Sequence, residues 1–580
     1  MTTAPITIGD VHGGWRRLWH RELEAYPGTW PRIGNLAIVV VTTIVLYYEA
    51  YAGAGVGPLI IGGLHMSFTF YLYISVVSAA FGAFTSLIGG LSDRIGRANI
   101  IVAGSVVVAL IVLVGVPNVT TKWSYAVLLV AVGFVEGIIL VATPALVRDF
   151  SPQVGRAQAM GFWTLGPVAG SLIVAIVATN TLPHLHTWQS QFRIAGWVGL
   201  GFSFIALLFL RELSPVIRDQ LMVTARDKVL VEARARGMTD EDIAQALSHP
   251  WRQMLKPDLI GSAFAVSTFL LVYFAAVGFF VIYLTTTFQN SDGTFLTTAQ
   301  ANGIQQWMWA FNCGALVVVG FVSDRLRVRK PFMAVGALGT IATIAVWISW
   351  AHAPHTSYYE LVTLVSLMAV FLGIAYGPWM ASYTETVEDH NPALQATGLA
   401  VWGWIIRAVV AVSTLIVPIV VTSVTTIVNN SPYAAQAPRA LAIEKQYGPV
   451  IAVAQKNSAL LSELSKYPSS AIPPALLSQA INQIGLQNLL TIQKIAPDLQ
   501  FLSQVGPHLQ ALQSSVAKSP SQWQHWWWVD LGGAVLFIPF IFVMRGRWSP
   551  KKARQDEQEH ERLVSEEMAK MGLLPGAGPA

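Results

Sequence analysis

Charge is what this sequence has least of. Of its 580 residues, 12% are Asp, Glu, Lys or Arg, about half the ~25% of an ordinary soluble protein. With 54% of the chain hydrophobic, a water-facing surface for a protein this long cannot be assembled, and lipid is the expected solvent for most of it. Cysteine is nearly absent too. Cys313 stands alone within an apolar stretch, which excludes an intrachain disulfide and a cysteine metal site. Signatures of chemistry are also missing: there is no Gly-x-x-x-x-Gly-Lys-Ser/Thr phosphate loop, no His-Glu-x-x-His and no Gly-x-Ser-x-Gly. ATP-driven transport by this chain and those classes of hydrolase are therefore not expected, and neither an enzyme, a cofactor nor a metal site is indicated. The twelve histidines are scattered, and His184 and His186 read as solvated residues of an outer loop. The net charge of +5 does not point to nucleic acid, because Lys and Arg sit in short clusters beside apolar runs, as topogenic charge does.

What is abundant is apolar length. Twelve segments of roughly 20 residues, the number that crosses a ~30 Å hydrocarbon core, lie at about 34–54, 68–91, 99–117, 124–147, 158–179, 193–210, 259–287, 303–322, 332–350, 358–381, 398–428 and 525–544. They are too long and too uniformly apolar for barrel strands of ~10 residues with alternating faces. An all-α polytopic bundle follows, since a backbone in lipid must bond within its own segment. Basic residues cluster before segment 1 (Arg16, Arg17, Arg21, Arg32) and after segments 2 (Arg94, Arg97), 4 (Arg148, Arg156), 8 (Arg325, Arg327, Arg329, Lys330) and 12 (Arg545, Arg547, Lys551). The alternate loops hold little beyond Lys122 and Arg193. Both termini are expected in the cytoplasm by the positive-inside rule, with residues 1–32 a retained arm and not a signal peptide. The loop after segment 10 dissents with Glu385, Glu388 and Asp389, but acidic residues contribute little to topology.

Two connections are long. The charged stretch 211–258 divides the chain into six-helix halves, 33–210 and 259–428 plus 523–545, and reads as surface helices. The stretch 429–522, between segments 11 and 12, falls on the outside. Leu460, Leu461, Leu464, Leu476, Leu477, Ile481 and Ile484 recur in it at helical spacing, interrupted by Pro468, Pro473, Pro474, Pro497 and Pro507. A helical hairpin or three-helix cap is expected there. Trp523, Trp526, Trp527 and Trp528 suit an interfacial belt where the chain returns to the membrane. Residues 546–580 form a charged tail.

Two short stretches repeat. Gly89-Gly-Leu-Ser-Asp93-Arg94-Ile-Gly96-Arg97 follows segment 2, and Gly320-Phe-Val-Ser-Asp324-Arg325-Leu-Arg-Val-Arg329 follows segment 8, with their first glycines 231 residues apart (89 to 320). Each occupies the second loop of its half, as a duplication about an axis along the membrane normal requires. At these residues the chain resembles the major facilitator superfamily, whose signature loop reads Gly-x-x-x-Asp-Arg/Lys-x-Gly. The second copy lacks the later glycine. The resemblance spans the twelve segments but not the outer insertion, and it implies secondary transport by alternating access in a bacterial cytoplasmic membrane. It implies a gating role for Gly89, Asp93, Arg94, Gly96, Arg97, Gly320, Asp324 and Arg325. Their charges would tether the facing halves, or simply anchor topology.

Several residues stand where lipid disfavours them. Glu49 in segment 1 and Glu136 in segment 4 are carboxylates at membrane depth, which is costly unless they are paired, hydrated or protonated. Both segments line the cavity in the family, so both are proton-coupling candidates. The alternatives are an interfacial position for Glu49, with 53–63 following closely, and a structural hydrogen bond for Glu136. Arg407 in segment 11 needs a carboxylate partner, a wet cavity or an anionic substrate; otherwise it snorkels and pairs with Glu385 or Glu388. Gln305, Gln306, Trp307, Tyr273, Tyr376 and Trp379 complete the substrate-binding candidates, each also explicable as packing. Gly166-Pro167-x-x-Gly170 resembles part of a drug-antiporter motif, though the upstream glycines are off register and close helix packing serves equally.

Three functions compete: proton-coupled symport of a small organic solute such as an organic acid, proton-coupled efflux, and a non-transporting receptor or assembly factor acting through a protein partner at the insertion. The expected partners are otherwise a small-molecule substrate, protons and the lipid bilayer, with no nucleic acid.

Overall fold

A backbone in hydrocarbon has no water to bond to, so each crossing segment closes its hydrogen bonds internally. The computed structural model shows the chain obeying that constraint; it describes residues 20–86, 95–151, 163–218, 250–390, 395–468 and 472–570. The first half comprises α1 (Thr29–Gly55), α2 (Phe68–Ser86), α3 (Arg97–Asn118), α4 (Lys122–Phe150), α5 (Gly166–Leu185) and α6 (Trp188–Phe209). The second contains α7, in three pieces (Pro257–Phe269, Leu271–Gly278, Phe280–Thr287), then α8 (Thr298–Leu326), α9 (Lys330–Trp350), α10 (Tyr358–His390) and α11 (Gln395–Val420). After α11 come α12 (Ala437–Lys456), α13 (Pro474–Ile484), α14 (Leu486–Lys494) and α15 (Ala496–Val543), whose latter part is the last span, and then α16 (Pro550–Lys570). Among the described residues, eleven helices are long and apolar enough to cross a membrane, or twelve with the bent α7 counted as one.

Several expectations require correction. The seventh segment is not one helix: its first two pieces meet at 44°, and Leu270 and Phe279 interrupt it. The fifth segment ends later than expected, its start lying outside the described residues, which places His184 inside α5 and leaves only His186 and Thr187 between α5 and α6. Glu385 and Asp389 lie within α10 rather than in a loop. Pro507 does not break the insertion; it lies inside α15, a single helix of 48 residues. The insertion is therefore not a separate hairpin or cap. Its helices α12 to α14 pack on the outward extension of the last span, around Ile443, Ile451 and Ile495 and around Ala454, Ile484 and Ile492. The four tryptophans do not form a belt either. Trp523, Trp526 and Trp527 are buried against Phe279, Phe280, Tyr283 and Trp347, and only Trp528 is exposed.

The insertion is pinched at its base. Gln522 Oε1 accepts the backbone N–H groups of Thr422 and Ser423 at 3.1 Å each, while its Nε2 donates to Thr422 Oγ1 at 2.9 Å. Residues 431–521 should accordingly be removable. A linker of about eight Gly/Ser residues covers the ~10 Å that the seven-residue turn Val424–Asn430 rises beyond this pinch. The expected product is folded and membrane-inserted, with a monodisperse peak in detergent; aggregation would make the insertion part of the core.

The halves meet along α5 with α8 and α2 with α11. Among the described residues, side-chain connections between them lie at the end of the bundle bearing the insertion. Asn302 donates to the Gly55 carbonyl at 2.7 Å, Thr425 accepts the Phe68 N–H at 2.9 Å, and the Phe68 ring lies against Phe279 and Trp523. At the end bearing both termini, the ion pairs between described residues stay within a half. Arg97 at the start of α3 reaches Asp149 at the end of α4 at 2.5 Å, and Arg329 before α9 reaches Glu385 of α10 at 3.3 Å. These are the same brace in the two repeats. Arg329 also holds Asp324 at 2.6 Å.

Gly96 shows why the repeated motif needs a glycine. Its φ is +101°, and a Cβ there would come within 2.5 Å of Glu212 Oε1. Glu212 belongs to a two-residue parallel ladder, Glu22–Leu23 with Glu212–Leu213, that ties the N-terminal arm to the chain leaving α6. Its carboxylate also accepts the Arg97 N–H at 2.8 Å, and burial pushes its pKa up. Arg21, read from sequence as topogenic charge, is buried and donates to the Ala206 and Leu210 carbonyls at the end of α6, where a cation suits the helix dipole. Gly96→Ala is expected to destabilise by about 1–3 kcal/mol through strain at positive φ and the collision. Adding Glu212→Ala should relieve only the collision, which thermal unfolding of the single and double variants will separate.

Candidate functional site

Glycine contacts set the helices that line the centre. On α4, Gly133 lies directly against Ser78 of α2, and Gly137 against Gly82 and Thr85. Such small-xxx-small approaches are how membrane helices come close. On α5, a Cβ at Gly170 would meet Tyr47 Cβ at 2.7 Å and the Tyr48 N at 3.0 Å. The Gly166-Pro-x-x-Gly170 stretch is thus explained by helix packing of α5 on α1.

With the helices so placed, one face of α1 presents Tyr47 and Tyr51, their rings 5.3 Å apart. Glu136 of α4 lies within electrostatic reach of both tyrosines. From the other half, Arg407 of α11 and Tyr376 of α10 act on Tyr47, and Tyr273 of α7 acts on Tyr51. Tyr47, Tyr51, Glu136, Tyr273 and Tyr376 are all half-buried. Arg407 is exposed although it stands midway along α11, and its only hydrogen bond among the described residues is to the Gly403 carbonyl at 3.2 Å. It does not pair with Glu385, which is engaged by Arg329. A carboxyl group from one half and a guanidinium from the other thus come within electrostatic reach of the same tyrosine, Tyr47. Such a set can hold an anion and exchange a proton.

The remaining sequence candidates separate. Glu49 does not share the Tyr47–Tyr51 face: it is 2% exposed, presses on Gly199 of α6 inside the first half, and its Oε1 has no hydrogen-bond partner among the described residues. Gln305 donates to the Ala276 carbonyl of α7 at 2.7 Å, bracing the broken helix. Gln306 is half-buried. Trp307 belongs to an exposed apolar stripe with Phe311, Val318 and Phe321, the face a membrane helix shows to lipid. Trp379 is fully buried between Tyr376, Tyr383 and Trp402. Gly89, Asp93 and Arg94 lie outside the described residues. No described residue comes close to where a side chain at Gly320 would go, and Arg325 lies in the last turn of α8. A separate recess at the termini end is lined by Asp258, Lys330, Asp389, His390 and Arg545. Its acids are already paired, Asp258 with His390 and Asp389 with Arg545, each at 2.6 Å.

Sequence reasoning passed over Tyr47 and Tyr51, although their i, i+4 spacing on α1 was a visible signal. It also passed over Asp530 of α15, whose two carboxylate oxygens are buried without a partner among the described residues.

Comparison with known proteins sets these helices in context. The profile of the Major Facilitator Superfamily matches residues 39–440. Among solved structures, a bacterial homologue of the human lysosomal transporter Spinster, inward-facing and occupied, superposes with a TM-score of 0.54 at 14% identity, covering 92% of this chain and 99% of that one. Its inward-facing, unoccupied form gives 0.52 at 14% identity, with 90% and 100% covered. A peptide transporter, POT, in complex with sulfate gives 0.50 at 15% identity, with 73% and 97% covered. A search of curated protein sequences found no match.

Proposed function

This chain belongs to the major facilitator superfamily and is a secondary transporter, and from that premise we propose that it takes up a small organic acid together with protons. The observation that supports the reading is that Glu136 and Arg407, from opposite halves, both come within electrostatic reach of Tyr47, beside Tyr51, Tyr273 and Tyr376. Arginine stays charged, and among the described residues Arg407 has no carboxylate partner. A substrate carboxylate supplies the missing partner, and tyrosine hydroxyls orient it.

The mechanism follows from which end is tied. The positive-inside distribution puts both termini in the cytoplasm of a bacterial cell and the insertion outside. The halves are joined at the insertion end through Asn302 and Gly55, Phe68 and Thr425, and the ring cluster about Trp523. These ties, among the described residues, support a site that opens towards the cytoplasm in this state. Glu136 gives up its proton on that side, which leaves an anion facing Arg407 and weakens the hold on an anionic substrate. The Arg97–Asp149 and Arg329–Glu385 braces keep each half rigid while the two rock. Among the described residues, Arg97 and Arg329 of the repeated stretches tie helices within a half; a gating tether across halves through Asp93 and Arg94 remains part of this proposal.

Purified protein in liposomes containing a pH-sensitive dye tests the reading. Addition of a short-chain monocarboxylate or dicarboxylate, each assayed in turn, is expected to drive proton entry for at least one acid and not for neutral sugars. Proton-independent uptake, or outward drug exchange, would overturn it. For an acid that passes, Arg407→Ala should raise the half-saturating concentration tenfold to a hundredfold, since a charge-assisted hydrogen bond to a buried anion contributes about 1.5–3 kcal/mol.

A further inference from the structure

The bundle holds a third buried carboxyl group, which uptake as derived above does not use. Asp530 on α15 is 1% exposed, and neither of its oxygens has a hydrogen-bond partner among the described residues. Its neighbours along α15 fix where it points. One turn towards the insertion, Trp527 lies against Tyr283 of α7 and Trp347 of α9. One turn the other way, Gly533 abuts the backbone of Thr268 on α7, and beyond it Phe537 stacks on Phe269. Asp530 therefore lies level with the middle piece of α7, Leu271–Gly278, between the interruptions at Leu270 and Phe279.

Among the described residues, the elements packed around it offer no counter-charge. On α7, Tyr273 is turned to Trp309 of α8, Tyr283 sits among Trp523 and Trp527, and Asp258 at the far end pairs with His390. On α9 the charged residue is Lys330, at the termini end, donating to the Phe542 carbonyl. On α11 it is Arg407, which faces Tyr47. His525 of α15 stands more than a turn away. Uncommitted polar groups do occur on the same surfaces: Thr340 Oγ1 and the Trp347 indole on α9 are buried without partners among the described residues. An ionised carboxylate in such surroundings has no compensating charge, whereas a protonated one is neutral.

The first half has a counterpart. Glu49 of α1 is pressed against α6 at Gly199. The contact of α1 with α6 and that of α7 with α15 are the same first-to-sixth helix contact in the two repeats. Each half thus buries one carboxyl group at this contact; Glu49 lies within electrostatic reach of Glu136, whereas no charged group is within reach of Asp530 among the described residues.

We propose that Asp530 is a proton-binding site internal to the second half, protonated while α15 is packed on the middle piece of α7, with Glu49 its counterpart in the first half. Losing the proton places a charge at the break in α7 and drives the two helices apart. This links protonation to a bend of α7 without passing through Glu136, and it stands whether or not the substrate is an organic acid.

Infrared spectroscopy of the full chain in liposomes, compared at neutral and alkaline pH, tests the assignment without a substrate. The Asp530→Asn variant is expected to lose one component of the protonated-carboxyl stretching band at neutral pH, beyond the components removed by Glu49→Gln and Glu136→Gln. Retention of the whole band, with loss of carboxylate intensity instead, overturns the proposal. If the Asn variant does not fold, Asp530→Glu keeps the titrating group and should move that component rather than delete it; an unmoved band overturns the proposal as well. A sodium titration that raises the Tm of the unmodified protein but not of Asp530→Asn would assign the group to a metal cation, which also overturns it.

Discussion

Glu136→Gln should abolish accumulation of substrate against its gradient while exchange of internal for external substrate continues. Gln has nearly the shape of a protonated carboxyl group, and Gly133 and Gly137, which hold α4 on α2, are untouched, so insertion and folding should survive. What the substitution removes is the ability to release a proton towards Arg407 and the substrate. If the driving force is lost entirely, steady-state accumulation falls to unity from whatever ratio the gradient supports, tenfold for each pH unit in a one-to-one symport. Counterflow, which needs binding and reorientation but no net proton movement, should stay within a few-fold of normal. Accumulation that persists in this variant would remove Glu136 from the coupling step, and loss of counterflow as well would make it a structural residue.

Gly137→Val should have the largest effect on the fold. A side chain at this position runs into the backbone of Gly82 and the Thr85 hydroxyl, and Thr85 is itself fixed by a 2.9 Å hydrogen bond to the Phe134 carbonyl. Overpacking in a well-filled core costs typically 1–3 kcal/mol. Here the obstacle is main chain, which cannot change rotamer, and the β-branched Val cannot swing aside. The expected outcome is a protein that is inserted but aggregates on extraction into detergent. Gly377→Val on α10 is the control, since the nearest group to a Cβ there is the flexible Leu316 side chain at 3.9 Å. A well-behaved Gly137→Val protein would mean that α2 and α4 separate more easily than their contact suggests.

The twelve crossings and the division into halves were legible because apolar length and a repeated Gly-x-x-x-Asp-Arg are properties of the sequence itself. What failed to be legible was direction. Glu49 and Tyr47 are two positions apart, about 200° around a helix, and no feature of the segment says which of them meets the other half. The four tryptophans near 523–528 look alike in sequence, yet three face rings of α7 and α9 and one faces outwards. Asp530 was hidden by that same run, because the residue after an apparent interfacial belt draws no attention. The interruption of α7 at Leu270 has no glycine or proline to announce it, so only the packing of α15 and α8 on it reveals the bend. Proline misled in the opposite sense at 507, where α15 continues as a helix.

Because α15 runs without interruption from Ala496 to Val543, the insertion and the last span move as one lever. The 27 residues before Trp523 extend ~40 Å beyond the bundle at 1.5 Å per residue. A rocking of the second half by about 10°, the kind of motion alternating access requires, then sweeps the tip through roughly 7 Å. The tip magnifies movements that are small at the cavity. A reporter placed on α13 would read the transporter's cycle from well clear of the bilayer, and anything that grips the tip gains leverage over it.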